Sequence, residues 1–167
     1  IAIDTNENSA SRTVNFETTT DWQPDTSHVP SPLAQNPGRT QIAFAPSDET
    51  GSIMYVTATQ QYGYLDNIYI SEDKGETWKI IFPGGTSLEI FSGSGCFNNV
   101  LEVFPNDPYK VLVGGFEMWM GTGSEGQTGF YDWGAGPVSQ GFFSGEPTYL
   151  PYSHHDYFFM PGSSSKL

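Results

Sequence analysis

Three consecutive residues near the end of the sequence, His154, His155 and Asp156, form its densest cluster of side chains that could bind a metal or transfer a proton. Imidazole and carboxylate groups are common zinc ligands and common general acids and bases. Adjacent residues of a strand point to opposite faces, so at most one of the two histidines joins a given site. The alternative is that these polar groups form hydrogen bonds within the fold. We predict no metal and no cofactor, and name His154 and Asp156 as the candidate metal ligands.

Carboxylates in or beside predicted loops are the candidates for acid–base chemistry. Hydrolysis of a glycosidic bond requires two carboxyl groups roughly 5 to 9.5 Å apart. Asp132, Glu146 and Asp156 lie where such a pair could form. Their spacing does not distinguish them from ordinary surface carboxylates. We therefore assign no catalytic residue and keep these three as candidates.

Aromatic residues interleaved with glycine are frequent in the predicted long loops. They could form a platform for a carbohydrate or a peptide, because their rings offer apolar faces with polar edges. They could equally pack the loops onto the fold. The candidates for ligand contact are Tyr131 and Trp133, which we expect to be the most exposed, together with Tyr62 and Tyr64.

The charge of the chain excludes several partners. It has 19 acidic and six basic residues, a formal net charge of -13. A phosphate backbone or an anionic membrane surface would repel such a chain, so we predict no nucleic-acid binding. No apolar run reaches the length of a membrane span. Cys96 is the only cysteine, so no internal disulfide can form.

Composition and local patterns predict an all-β fold. Aromatic residues make up 15% of the chain, and 19 glycines and 12 prolines punctuate it, which is typical of short strands joined by turns. Four antiparallel strands are predicted first, and the same order of strands then recurs. The predicted strands are 41–46, 53–58, 67–70 and 77–82, then 99–105, 110–115 and 116–120, with a third copy beginning at 156.

Prolines mark this repeat. Pro46, Pro105 and Pro161 close equivalent strands, at spacings of 59 and 56 residues, which follow from their positions in the sequence. The spacing exceeds the roughly 40 to 50 residues of common propeller blades, as insertions in loops would produce.

The octet that begins at Ser71 reads Ser-Glu-Asp-Lys-Gly-Glu-Thr-Trp between two predicted strands. Asp73 can accept hydrogen bonds from the turn backbone, and Gly75 permits a positive φ. The Thr77 hydroxyl can tie the outgoing strand to the turn, and the Trp78 indole can pack against the hairpin. We assign these five residues a structural role.

The octet matches the pattern Ser-x-Asp-x-Gly-x-Thr-Trp at every defined position, and the chain thereby resembles the BNR/Asp-box repeat β-propeller superfamily. The phrases at 104–108 and 111–115 are similar to blades of large sortilin-like and glycosidase-like propellers exported by Bacteroidetes. The resemblance covers about residues 41 to 161 and implies a secreted or cell-surface bacterial protein. Sialidases of the superfamily bind the substrate carboxylate with an arginine cluster. This chain has only Arg12 and Arg39, so it is not expected to be one.

The resulting fold prediction is an incomplete β-propeller of about two four-stranded antiparallel blades plus the start of a third. Closed propellers need about four to eight blades, so the remaining blades, in the same parent protein or another chain, are predicted partners. The predicted divisions are an extended N-terminal segment over 1–40, a first blade with the Asp-box over 41–98, a second blade with a long loop over 99–152, and the start of a third over 153–167.

The leading functional hypothesis is a non-catalytic propeller segment that binds a protein or a glycan through its loops. One alternative is part of a xyloglucanase-like glycoside hydrolase. Another is a scaffold subunit of a secretion or surface-motility assembly.

Overall fold

A computed structural model of the chain describes residues 2–4, 9–11, 37–85, 89–133 and 155–160. Within these ranges all regular structure is β, with ten strands and no helix, which confirms the predicted all-β class. The same ranges accordingly contain no helix that could span a membrane.

Two short strands near the start of the chain form a hairpin. Strand β1 (Ala2–Asp4) pairs antiparallel with β2 (Ser9–Ser11). The sequence predicted extended, loop-like structure here, because the segment lacks a regular apolar alternation. A two-stranded hairpin needs only local backbone pairing, so it can form without that pattern.

The first four-stranded sheet is a simple antiparallel meander. Its strands are β3 (Pro37–Phe44), β4 (Met54–Gln60), β5 (Leu65–Ser71) and β6 (Lys79–Pro83), hydrogen-bonded in that order. The four predicted strands are therefore present, with shifted ends. Strand β3 begins four residues earlier than predicted because Pro37 pairs with Gln60 beyond a register shift.

The second sheet repeats this meander. Its strands are β7 (Val100–Val103), β8 (Lys110–Gly114), β9 (Met118–Thr122) and β10 (Asp132–Trp133), again hydrogen-bonded in consecutive order. Strand β9 begins at Met118, two residues later than predicted. The reason is a turn in which the Gly115 amide donates to the Glu117 carbonyl at 3.0 Å.

The proline-containing turns of the two sheets have matching hydrogen bonds. In the first turn the Asp48 amide donates to the Ala45 carbonyl at 3.2 Å. In the second turn the Asp107 amide donates to the Phe104 carbonyl at 3.3 Å. The repeat inferred from proline spacing thus has a structural counterpart in these two copies.

The third copy of the repeat stays a prediction. Residues 155–160 carry no strand, and Pro161 lies outside the described residues. The segment nevertheless packs on the second sheet, where the Phe159 and Phe104 ring centroids are 4.9 Å apart and Tyr157 lies against Gly114.

One face of each sheet contributes to a single apolar core, and the first strands of the two sheets, β3 and β7, are in contact. The first sheet supplies fully buried side chains such as Tyr55 and Ile81, and the second supplies Val111 and Val113. A buried polar bond also joins the sheets, since the Thr57 hydroxyl donates to the Asn99 side-chain oxygen at 2.6 Å.

The opposite faces of the sheets are apolar as well. On the first sheet, Val56, Ala58 and Tyr69 form a second buried cluster. On the second sheet, Leu112 lies at the centre of a third. Both sheets are therefore built to be covered on both sides.

The octet at Ser71 forms the turn between β5 and β6, with the contacts that its sequence predicts. The Asp73 carboxylate accepts bonds from the Thr77 amide at 2.8 Å, from the Thr77 hydroxyl and from the Ser71 hydroxyl. Gly75 has a φ of +88°, and Trp78 packs against the buried cluster around Tyr69. Because Thr77 is bound to the turn, β6 begins at Lys79 rather than at the predicted Thr77.

Replacing Asp73 with Ala should lower the free energy of unfolding by about 1 to 3 kcal/mol, since three donors lose a charged acceptor. Chemical denaturation at pH 7 measures the change. The matched control is Glu49→Ala, which removes an exposed carboxylate from the neighbouring turn and should alter stability by less than about 0.5 kcal/mol. Equal losses in the two variants would contradict the assigned role.

The pKa of Asp73 also makes stability depend on pH. Burial acts to raise this pKa, but the bonds from Thr77 and Ser71 outweigh it and the pKa is lowered. The stabilisation is therefore fully present above the unfolded-state pKa, about 3.9, and is lost as the pH falls through the folded-state pKa. The stability gap between the native chain and Asp73→Asn should narrow below about pH 4 in acid titrations. A constant gap would refute this.

Candidate functional site

Alternating strand directions place the loops at two opposite ends of the sheets. We call them the Asp48 end and the Tyr62 end. The Asp48 end comprises the connections 45–53, 72–78, 104–109 and 123–131, and the Tyr62 end comprises 61–64, 89–99 and 115–117.

An open cleft of about 410 Å³ lies at the Asp48 end, where turns of both sheets meet. Glu72 is one of the side chains that line it. One Glu72 carboxylate oxygen accepts a bond from the Gly126 amide at 2.8 Å, and the other pairs with the Lys79 ammonium. The bond between Glu72 and Gly126 joins the turn after β5 to the loop before β10. The cleft is also lined by Asp48, Thr50, Ser52, Tyr109 and Glu125.

The electrostatics of the cleft favour ionised carboxylates. Hydrogen bonds from the Thr50 hydroxyl and the Ile53 amide lower the pKa of Asp48. Burial acts to raise the pKa of Glu72, but the bonds from Lys79 and Gly126 outweigh it and lower the pKa. Burial first, and then the Glu72 charge, raise the pKa of Tyr109 to about 12. Neither Asp48 nor Glu72 is thus suited to act as a general acid near neutral pH.

The prediction that Tyr131 is an exposed ligand contact is wrong. Its side chain is only 6% exposed and lies in the core between the sheets. The Tyr55 hydroxyl donates to the Pro108 carbonyl at 2.7 Å, so the Tyr131 hydroxyl, 2.9 Å away, donates to Tyr55. The loop aromatic is buried because its hydroxyl has a partner inside the core.

Trp133 also has a packing role. Its ring meets Phe82 edge to face, with centroids 5.2 Å apart, and its indole N–H donates to the Ile81 carbonyl at 3.2 Å. The ring lies over Gly121, where a side chain would collide with it. The expectation of an exposed contact is therefore not met, because this indole joins the two sheets.

Tyr62 and Tyr64 are the remaining aromatic candidates, for which the sequence left ligand contact and loop packing equally open, and they are 78% and 49% exposed. Phe97, which the sequence analysis did not select, is 74% exposed at the same end. It is connected to the tyrosine turn through its neighbour, because the Cys96 thiol donates to the Gln61 carbonyl at 3.6 Å. The structure thus brings together aromatic residues from two separate loops, a pairing that no local pattern signals.

The two candidate carboxylates that the structure describes lie on different elements. Asp132 is exposed in β10 opposite Thr122, and Asp156 is exposed in the segment that packs on the second sheet. Glu146 lies outside the described residues. Asp156 instead acts electrostatically on Glu102, whose pKa is raised, first by burial and then by this charge. Glu102 was missed, although a lone carboxylate in the apolar strand Val-Leu-Glu-Val was a visible signal.

The candidate metal ligands gain no support. His154 lies outside the described residues, and no group of three or more His, Cys, Asp or Glu side chains within the described part of the chain is placed to hold an ion. The Nδ1 atom of the adjacent His155 lies 3.3 Å from the Phe97 carbonyl oxygen.

Comparison of the chain with protein-family models, with curated proteins and with solved structures gives no match.

Substitutions at Tyr131 test its reassignment from ligand contact to core. Tyr131→Ala should lower the free energy of unfolding by about 3 to 5 kcal/mol, as for other large aromatic residues truncated in a core. Tyr131→Phe should cost only about 1 kcal/mol, because it removes one hydrogen bond and keeps the ring. Exposed Tyr62→Ala is the control and should change stability by less than about 0.5 kcal/mol. Similar values for Tyr131→Ala and Tyr62→Ala would contradict the assignment.

Proposed function

We propose that the chain is a β-propeller segment of an exported or cell-surface bacterial protein, and that it acts by non-catalytic recognition through the loops at the ends of its sheets. Two consecutive four-stranded meanders with matching turns support this architecture. The Ser71 octet, whose hydrogen bonds fit its expected role, supports it as well.

The observation that carries the architecture is the apolar character of both faces of both sheets. Strand β4 is buried from Met54 to Thr59, with Tyr55 in the shared core and Val56 in the opposite cluster. Strand β8 also has apolar side chains on both faces, with Val111 in the shared core and Leu112 in the cluster on the opposite face. A sheet with two apolar faces needs a layer on each. This chain already covers the residues of both outer clusters, which are at most 3% exposed, and on the second sheet Tyr157 and Phe159 contribute to that cover. Further blades, in the same parent protein or another chain, would complete the ring around them.

Recognition rather than catalysis accounts best for the ends of the sheets. At the Asp48 end, hydrogen bonds within the protein hold the Asp48 and Glu72 carboxylates ionised. At the Tyr62 end, exposed aromatic side chains are presented to solvent. Exposed aromatics of this kind are enriched at binding surfaces, where they bury large areas at a small entropic cost.

One observation favours a second candidate, part of a xyloglucanase-like glycoside hydrolase. Burial, and then the charge of Asp156, raise the pKa of Glu102, and a carboxyl group with a raised pKa near a second carboxyl group is the arrangement that glycosidic acid catalysis uses. Against it, Glu102 belongs to the strand face that carries Leu112 and Phe104, where a neighbouring layer would cover it.

A panel of soluble polysaccharides and candidate proteins separates the two functions. The purified protein is titrated with each compound for binding, and the same mixtures are assayed for new reducing ends. Recognition predicts binding to at least one compound and no new reducing ends with any. Enzymatic release of reducing ends, abolished by Glu102→Gln or Asp156→Asn, would overturn the proposal and establish the hydrolase.

Glu102→Gln also has a thermodynamic signature. Because burial raises the folded-state pKa, the ionised Glu102 destabilises the fold above its unfolded-state pKa of about 4.3. The variant should therefore unfold at a higher temperature than the native chain at pH 7, and the difference should disappear below about pH 4. Exposed Glu49→Gln is the control and should show no such pH-dependent gain. A Glu102→Gln chain that is less stable at pH 7 would contradict this account.

A further inference from the structure

Six exposed or half-exposed side chains at the Tyr62 end form a surface without a charged group. We call it the Tyr62 surface, and it comprises Gln60, Gln61, Tyr62, Tyr64, Ser94 and Phe97. The stretches that supply it, 60–65 and 90–101, contain no Lys, Arg, Asp or Glu. In a chain with a net charge of -13, a neutral aromatic surface is a distinct chemical feature.

The turn that carries the two tyrosines is fixed by backbone bonds. The Gln60 amide donates to the Tyr64 carbonyl at 2.7 Å, and the Gly63 amide donates to the Gln60 carbonyl at 2.9 Å. Gly63 has a φ of +82°, and a side chain there would lie within 2.6 Å of the Gly93 carbonyl oxygen. The rings are thus presented on a preorganised turn, which reduces the entropic cost of binding.

The loop that carries Phe97 is bound to this turn. The Gly95 amide donates to the Gly63 carbonyl at 2.9 Å, and the Cys96 thiol contacts the Gln61 carbonyl. The Tyr64 ring lies on Gly93 of the same loop. The two loops that carry the three aromatic residues are therefore bonded to each other.

Charged groups near the patch are already bound within the protein. The Glu89 carboxylate accepts bonds from the Leu65 amide at 3.0 Å and the Phe91 amide at 3.2 Å. The Arg39 guanidinium donates one bond to the Phe97 carbonyl at 2.6 Å, and the Nδ1 atom of His155 lies 3.3 Å from the same oxygen. Arg39 is a cation beside the patch, but the net charge of -13 opposes an anionic ligand. Apolar ring faces beside amides and hydroxyls suit a neutral ligand with both apolar and hydroxyl groups.

We propose that the Tyr62 surface binds a neutral polysaccharide, whose sugar rings stack on Tyr62, Tyr64 and Phe97 while its hydroxyls bond to the glutamines and Ser94. This inference rests on the proposed recognition function and names its ligand class. The stacking supplies the affinity, and the net charge of -13 disfavours anionic polymers.

Affinity electrophoresis and calorimetry test the inference with the whole chain. The probes are hydroxyethyl cellulose, galactomannan and dextran as neutral polymers, and pectate as an anionic one. At least one neutral polymer should bind, and Tyr62→Ala and Phe97→Ala should each weaken that binding about tenfold or more, as expected for one lost stacking contact. Pectate should not bind.

The matched control is Phe130→Ala, which removes an aromatic ring of similar exposure, 59%, from the Asp48 end. It should leave polysaccharide affinity unchanged, and thermal unfolding checks that all three variants keep their fold. Binding that is insensitive to Tyr62→Ala and Phe97→Ala would overturn the location of the site. Binding of a protein or of pectate, with no neutral polymer bound, would overturn the ligand class while leaving recognition intact. Hydrolysis of a bound polymer would instead overturn the non-catalytic function.

Discussion

The two sheets meet over one apolar core, and a small set of buried polar bonds crosses between them. The Tyr55 hydroxyl of the first sheet donates to the Pro108 carbonyl in a turn of the second, and Tyr131 donates to Tyr55. Near the start of the second sheet, Thr57 bonds to Asn99. A buried donor or acceptor left without its partner costs about 1 to 3 kcal/mol. Sliding one sheet over the other would break these bonds, so they fix the relative register that the apolar contacts alone leave adjustable.

As a result of this arrangement, the loops at the two ends of the sheets are stabilised by different kinds of residues. At the Asp48 end, tight turns use carboxylates as acceptors for backbone amides, as Asp48 and Asp73 do. Both carboxylates consequently have lowered pKa values and structural roles. The cleft at this end is lined by the acidic residues Asp48, Glu72 and Glu125. At the Tyr62 end, glycines such as Gly63 and Gly95 allow the backbones of two loops to approach each other closely. Few side chains are therefore needed to stabilise the turns. The exposed aromatic rings there are left available for a ligand.

The contacts within individual turns were predictable from the sequence because they depend on residues a few positions apart. The Ser71 octet specifies its own turn through Asp73, Gly75 and Thr77, and the structure places each of their contacts as expected. The strand order also followed from alternating apolar residues and turn residues. Strand ends were less accurate, since pairing across strands decides whether Pro37 or Thr77 belongs to a strand.

The sequence by itself determined the all-β class, the four strands of the first meander and the first three strands of the second. Only the tertiary structure decided that Tyr131 and Trp133 belong to the core, that Phe97 joins the tyrosines, and that Glu102 lies near Asp156. The physical reason is that these contacts join residues that lie far apart in the sequence. Burial of a loop aromatic depends on whether a partner from another sheet faces it, and no spacing within the loop contains that information.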